Sequence, residues 1–110
     1  MLSAKYRLTK TKDIQAVFEG KQKVFGKYMI INYISNKLPN PRFTFIVSSQ
    51  TFKKATDRNY YKRILRHIVR ELIPNIKTNY DFGIVIKKDI YNIKFDDIKN
   101  ECIYLFNKIK

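Results

Sequence analysis

This 110-residue chain has no tryptophan, one cysteine, one histidine, three glycines and three prolines. The lone Cys102 cannot close an intramolecular disulfide, so nothing calls for an oxidising compartment. The lone His67 has no second His or Cys beside it, as a zinc-type metal site would require. Acids are scarce: nine Asp and Glu stand against 23 Lys and Arg, for a formal net charge of +14. No apolar run approaches the roughly 18 residues of a membrane helix. The opening MLSAKYRLTKTK lacks the apolar stretch of a secretory signal. These absences lead us to expect a cytoplasmic protein with no membrane partner. Apolar residues make up 45 %, which excludes disorder as a whole, and the length suits a single domain over residues 1–110. The surplus of positive charge is not gathered in a tail, so it belongs to a folded surface. A polyanion is the expected partner, nucleic acid ahead of an anionic membrane.

The positive charge is most organised between Lys53 and Ile73, KKATDRNYYKRILRHIVRELI. At about 100° per residue, Tyr61, Ile64, Leu65, Ile68 and Leu72 share one face. Arg58, Asn59, Lys62, Arg63, Arg66 and Arg70 fill the opposite one. The spacing predicts an amphipathic helix with a cationic face. Thr56 or Asp57 is suited to cap its start, Asp57 also suits the positive end of the helix dipole, and Pro74 stops it. A solvated basic face is the plain alternative. Against it, no acid stands at i±4 along the cations, and Asn59 among them can donate and accept at once.

In chain order, Met1 to Leu8 reads as an extended basic arm. Thr11 to Glu19 reads as a short helix capped by Thr11, with Ile14, Val17 and Phe18 on one face and Gly20 ending it. Val24 to Ile34, rich in β-branched and aromatic residues, reads as one strand. Asn36 to Pro41 is a turn. Arg42 to Ser48 is a second strand with Phe43, Phe45 and Val47 on one side. Asn75 to Asn79 is a loop, and Tyr80 to Lys87 is a third strand, apolar enough to be central. Phe95, Ile98, Cys102, Leu105 and Ile109 give the spacing of a last helix. The periodicity alone predicts an α+β fold of order αββαβα, a small mixed sheet packed by helices. The helix between the second and third strands permits a parallel pairing without requiring it.

Arg58-Asn59-Tyr60-Tyr61-Lys62-Arg63-Ile64-Leu65-Arg66 resembles the RNR-x-KR-x-x-R signature of the bacterial ribonuclease P protein subunit. Val47-Ser48 and then Lys53-Lys54-Ala55 are similar to the strand end and basic approach that precede it. Arg7-Leu8, Asp13-Ile14 and Val17-Phe18 are similar to the family's R-L…D-F…V-F pattern, and DFGIVIKK resembles its C-terminal strand. Tyr60 departs from the third cation of RNR, Ser49-Gln50 from two common lysines, and Ile14 from a usual aromatic. The resemblance implies the order αβββαβα, one strand more than periodicity gives, with a left-handed β–α–β crossover carrying the basic helix. It implies a protein that joins a catalytic RNA to remove the 5′ leader of precursor tRNA, with Mg²⁺ held mainly by the RNA and no protein partner required. The RNA-binding set it implies is Lys53, Lys54, Arg58, Asn59, Lys62, Arg63, Arg66 and Arg70. Phosphate contacts of this kind give affinity without sequence reading. A leader cleft between the first helix and the sheet would draw on Ile14, Phe18, and Tyr28 or Tyr33 as stacking surfaces. Their plain alternative is ordinary core.

The protein alone is not expected to be a catalyst. Asp81, opening a strand that ends in Lys87-Lys88, faintly resembles a nuclease arrangement, but Val85 and Ile86 stand where a second acid would be needed. Asp97 and Glu101 read as the solvent face of the last helix. No serine has a His–Asp relay, and Cys102 lies on the apolar stripe. The rival class is a non-catalytic structured-RNA binder, a ribosomal protein or RNA chaperone.

Overall fold

Gly26 divides the apolar run that alternation reads as one strand. The computed structural model, which describes residues 3–48, 52–76, 79–87 and 93–109, has β1 at Lys23–Phe25 and β2 at Met29–Ser35. They pair antiparallel in a tight hairpin, Lys23 opposite Asn32 and Phe25 opposite Ile30. The other strands are β3, Arg42–Ile46, and β4, Tyr80–Ile86; the helices are α1, Thr11–Glu19, α2, Ala55–Leu72, and α3, Phe95–Lys108. The order is therefore αβββαβα, and the fold is mixed α+β. The single-strand expectation over Val24 to Ile34 is corrected by the hairpin: a period-2 pattern does not reveal a reversal when both arms are apolar.

The four strands lie in the order β1-β2-β4-β3, with β2 and β4 antiparallel and β3 and β4 parallel. Helix α2 therefore spans a parallel β3–α2–β4 crossover, since parallel neighbours need a long connection. One face of the sheet carries Met29, Ile31, Phe43, Phe45, Phe82 and Ile84, and α2 and α3 close over it with Leu65, Ile68, Ile98 and Leu105. Phe43 stacks on Phe82 at 5.1 Å between ring centroids, with Phe106 of α3 edge-on to both. Each such aromatic pair contributes about 0.5–1.5 kcal/mol beyond its buried area. Phe52, fully buried against Tyr61 at 4.8 Å, joins this core from the approach to α2. Helix α1 packs against β2 and β4 with Val17 and Phe18, on the face opposite to α2 and α3.

The N-terminal arm departs from the extended expectation. Ala4–Tyr6 forms a 3-10 turn, Arg7 bridges to Phe43, and the Leu8 N–H donates to the Phe43 carbonyl at 2.8 Å, burying Leu8. The arm thus covers the free edge of β3, where unpaired backbone groups would otherwise invite another strand. The expected caps also differ. Lys10 and Lys54 occupy the cap positions of α1 and α2 without a side-chain hydrogen bond, while Asp57 lies in the first turn of α2 and suits its dipole. Ser49, Gln50 and Lys88, which belong to the resemblance, lie outside the described residues.

Candidate nucleic-acid interface

Helix α2 buries Tyr61, Leu65, Ile68 and Val69, a stripe that fixes its rotation on the sheet. The same rotation puts Asn59, Arg63, Arg66 and Arg70 in solvent, with Lys62 at the margin and Lys53 and Lys54 exposed just before the helix. Arg58, Lys62, Arg66 and Arg70 recur every fourth residue, so their Cα atoms rise about 6 Å per step along one ridge. Among the described residues, none of Lys62, Arg63, Arg66 and Arg70 has an ion-pair partner. The one acid late in α2, Glu71, is paired with Lys99 of α3, whose Nζ lies at 2.6 Å, and with His67 one turn earlier in α2, whose Nε2 lies at 3.1 Å. The Lys99 hydrogen bond holds the Glu71 carboxyl below its usual range. His67, exposed and near Phe95 at 5.8 Å, therefore marks the α3 margin of the cationic face.

Arg58 differs from its neighbours. Its Nη1 donates to the carbonyls of Phe52, at 2.7 Å, and Lys53, at 3.1 Å, strapping the approach segment to the helix start. Its other guanidinium donors stay free for an outside acceptor in number, since the group carries five N–H. Tyr60, which departs from the third cation of the motif, is 54 % exposed and edge-on to Tyr61. It sets an aromatic ring at the margin of the cationic face, beyond Arg63, a stacking surface the motif comparison does not supply.

The second feature is the face of the sheet beneath α1. The Phe18 ring lies over Gly83 of β4, where a methyl group would stand 2.6 Å from its Cζ. Only a glycine lets the ring approach the central strand this closely. Asn32, buried opposite Gly83, donates to the Gly83 carbonyl at 3.4 Å and forms the floor. Arg42 joins α1 to the sheet: its Nε and Nη2 grip the two oxygens of Asp81 at 2.9 and 2.7 Å, and Nη2 is 3.5 Å from Asp13 of α1. Asn36 donates to Asp81 as well, at 2.8 Å. The Asp81 hydrogen bond raises the Arg42 pKa above its already high ordinary value. Sequence reasoning passed over Arg42 and Asn36, because neither has a pattern of its own until β3 and β4 are paired.

Of the expected cleft residues, Ile14 and Phe18 are both half-buried on α1. Tyr33 is on the other face, paired with Phe82 and packed on Tyr80 at 5.4 Å, so it shares no cleft with Phe18. Tyr28 lines a hollow against α3 that Phe25 also borders. Strand alternation puts Phe25, paired with Ile30, and Ile46, paired with Val85, on the α1 face instead, at opposite edges of one row that crosses the four strands. Phe25 and Ile46 are both exposed, and with Ile30 and Val85 between them they make an apolar row across the sheet that the sequence reading missed. The signal was Gly26: a hairpin break there would have set the alternation correctly.

Neither Asp81 nor Glu101 has a carboxylate oxygen to spare for a divalent metal. Asp81 has both oxygens engaged by Arg42, and Glu101 has both accepting the Tyr28 N–H at 3.0 Å. Glu101 is thus a hairpin anchor and corrects the solvent-face expectation. No group of three His, Cys, Asp or Glu able to hold a metal occurs among the described residues. Burial pushes the Cys102 thiol up to about 12, beside Met29 at 3.6 Å, so it is no nucleophile.

A family model described as Ribonuclease P matches residues 2–110. The chain belongs to this family. Curated ribonuclease P relatives agree: the chain is similar to the ribonuclease P protein component of Syntrophomonas wolfei, 33 % identical over 98 % of this chain and 90 % of the relative. It is also similar to that of Fusobacterium nucleatum, 36 % identical over 94 % of this chain and 96 % of the relative. The fold is shared with the RNase P protein from Thermotoga maritima, solved in complex with 1-(4-fluorophenyl)-2-thiourea. That structure superposes with a TM-score of 0.87 at 23 % identity, over 94 % of this chain and 100 % of the other.

Proposed function

We propose that the chain is the protein component of a tRNA-processing ribonuclease P, in which it binds a catalytic RNA and the 5′ leader of precursor tRNA. The observation that carries this reading is the cationic face of α2, Lys62, Arg63, Arg66 and Arg70, left without acid partners among the described residues in a chain of net charge +14. Self-repulsion makes such a face costly unless a polyanion completes it. Arg63, Arg66 and Arg70 can each meet a phosphate with two parallel hydrogen bonds, and Lys53, Lys54 and Lys62 act as point charges beside them. Asn59 reaches a phosphate or a ribose hydroxyl, and Tyr60 offers a ring to an unpaired base.

The single-stranded leader is assigned to the α1 face of the sheet. Phe18 and the row Phe25, Ile30, Val85 and Ile46 supply the apolar surface on which successive bases rest, and Ile14 extends it along α1. Arg42 holds α1 in place through Asp13 and Asp81. Hydrolysis is assigned to the catalytic RNA and its Mg²⁺; of the protein's acids, Asp81 is held by Arg42 and Glu101 by the Tyr28 N–H, and no cluster of three His, Cys, Asp or Glu stands ready for a metal among the described residues. The test is single-turnover cleavage of precursor tRNA by the cognate catalytic RNA across a Mg²⁺ series. The protein is expected to raise the rate most at low Mg²⁺, where its charge offsets phosphate repulsion that ions otherwise screen. An equal rate with and without protein at every Mg²⁺ level would instead favour a general RNA binder. Cleavage by protein freed of RNA would overturn the assignment.

A further inference from the structure

Helix α3 carries a second polar stripe that the proposed function does not use. Asn100, Tyr104 and Lys108 recur every fourth residue on the side away from the buried Ile98, Cys102 and Leu105. Tyr104 is 59 % exposed, with Lys108 Nζ 4.5 Å from its ring centroid. Across from it stands the β1–β2 turn, where Lys27 Nζ lies 5.4 Å from the Tyr28 ring. These residues, with Phe25, Gly26 and Glu101, line one open hollow of about 440 Å³ between the turn and α3.

The hollow is held open by the fold. The Glu101 carboxylate occupies the space into which any side chain at Gly26 would project, and it accepts the Tyr28 N–H with both oxygens. Lys87 Nζ donates to the Gly26 carbonyl at 2.7 Å from the other side. Helix α3 and the central strand therefore both pin the turn, and its backbone cannot fold down onto Tyr104. The carboxylate inside the hollow is spent on that hydrogen bond, and the two lysines at the rim outnumber it.

We propose that this hollow takes an unpaired nucleotide of the same RNA that the α2 face binds, its base stacked on Tyr104 and its phosphates met by Lys27 and Lys108. Two aromatic rings, each with its own ammonium, suit a base-and-phosphate repeat, whereas an apolar protein surface would gain nothing from the cations. Asn100 offers a donor and an acceptor to a base edge. Helices α2 and α3 pack side by side on one face of the sheet, with Lys99 of α3 toward α2 and the hollow on the other flank of α3, so the RNA of the proposal crosses α3 to reach both. The α1 face, assigned above to the leader, lies on the opposite side. The inference rests on the RNA-binding reading and adds a third contact to it.

An NMR titration of the full chain with decauridylate tests the chemistry. Amide shifts at Gly26, Lys27, Tyr28 and Tyr104 are expected, and they should persist in an Arg63→Ala/Arg66→Ala variant. Tyr104→Ala should weaken the Kd read from those shifts at least about fivefold, the lower end for loss of one base–aromatic stack, and Tyr104→Phe should restore it. Shifts confined to α1 and α2 would overturn the hollow and leave the proposed function standing; no shift anywhere would overturn both. Ultraviolet cross-linking to the cognate catalytic RNA then fixes the source. Adducts at Tyr28 or Tyr104 without precursor tRNA support the proposal, and adducts that need precursor tRNA contradict it.

Discussion

Arg42 and Arg66 are the same residue put to opposite uses. Arg42 grips Asp81 with two hydrogen bonds, leans on Asp13, and keeps one-fifth of its side chain accessible. Arg66 stands on α2 in solvent, four residues from further cations, with no ion-pair partner among the described residues. A cation answered by the chain's own acids contributes to the fold. A cation left unanswered beside others of its sign costs a little stability and gives it back when a polyanion arrives. Arg58 falls between, because it straps the segment before α2 while keeping donors to spare.

The contrast is broken most sharply at the ion pair. Asp81→Ala leaves a half-buried guanidinium without its main partner, and the expected cost is about 3 kcal/mol, the upper end for hydrogen bonds to a charged group because two are lost at once. Urea unfolding measures it; a loss under about 1 kcal/mol would put Arg42 in the same class as the surface arginines. Next in size is Gly83→Ala, which drives a methyl group into Phe18 and is expected to cost about 1–3 kcal/mol. Phe18→Ala in the same chain should recover much of that cost, so a double-mutant cycle showing no coupling would remove the contact. Phe18→Ala alone should weaken precursor tRNA binding more than mature tRNA binding.

Arg58→Ala sharpens the middle case. A stability loss of about 1 kcal/mol is expected from the backbone hydrogen bonds, together with weaker RNA binding. Arg66→Ala should leave stability within about 0.5 kcal/mol, as for other exposed positions. Equal unfolding midpoints for the two variants would deny Arg58 its strapping role. The smallest effect is at Glu71, whose folded pKa is lowered chiefly by Lys99. A lowered folded pKa contributes stability above the unfolded value and loses it as pH falls through the folded one. Lys99→Ala should move the Glu71 NMR titration midpoint upward; an unmoved midpoint would discount the pair.

The cationic helix was legible because its pattern is local: a period near 3.6, acids absent at i±4, and a proline at the end. The α1 and α3 stripes were legible for the same reason. What escaped depends on pairing between distant strands. The single-strand reading across Gly26 hid Phe25's side of the sheet and led to Tyr33, which faces the core. Glu101 looked like solvent surface because its partner, the Tyr28 N–H, is 73 residues away. The Arg42–Asp81 grip needs the parallel register of β3 and β4, which no sequence period encodes.

The unanswered cations themselves carry the central claim, and salt dependence reads them directly. The measurement is the affinity for the cognate catalytic RNA between low and moderate salt, for the unaltered chain and for a Lys62, Arg63, Arg66 and Arg70 all-to-alanine variant. Each lost phosphate contact should flatten the slope of log K against log salt by about 0.7–0.9, and the variant should still fold. A slope reduced by about three with an unchanged unfolding midpoint is the predicted result. An unchanged slope in a folded variant would contradict the account, because those charges would then face no phosphate.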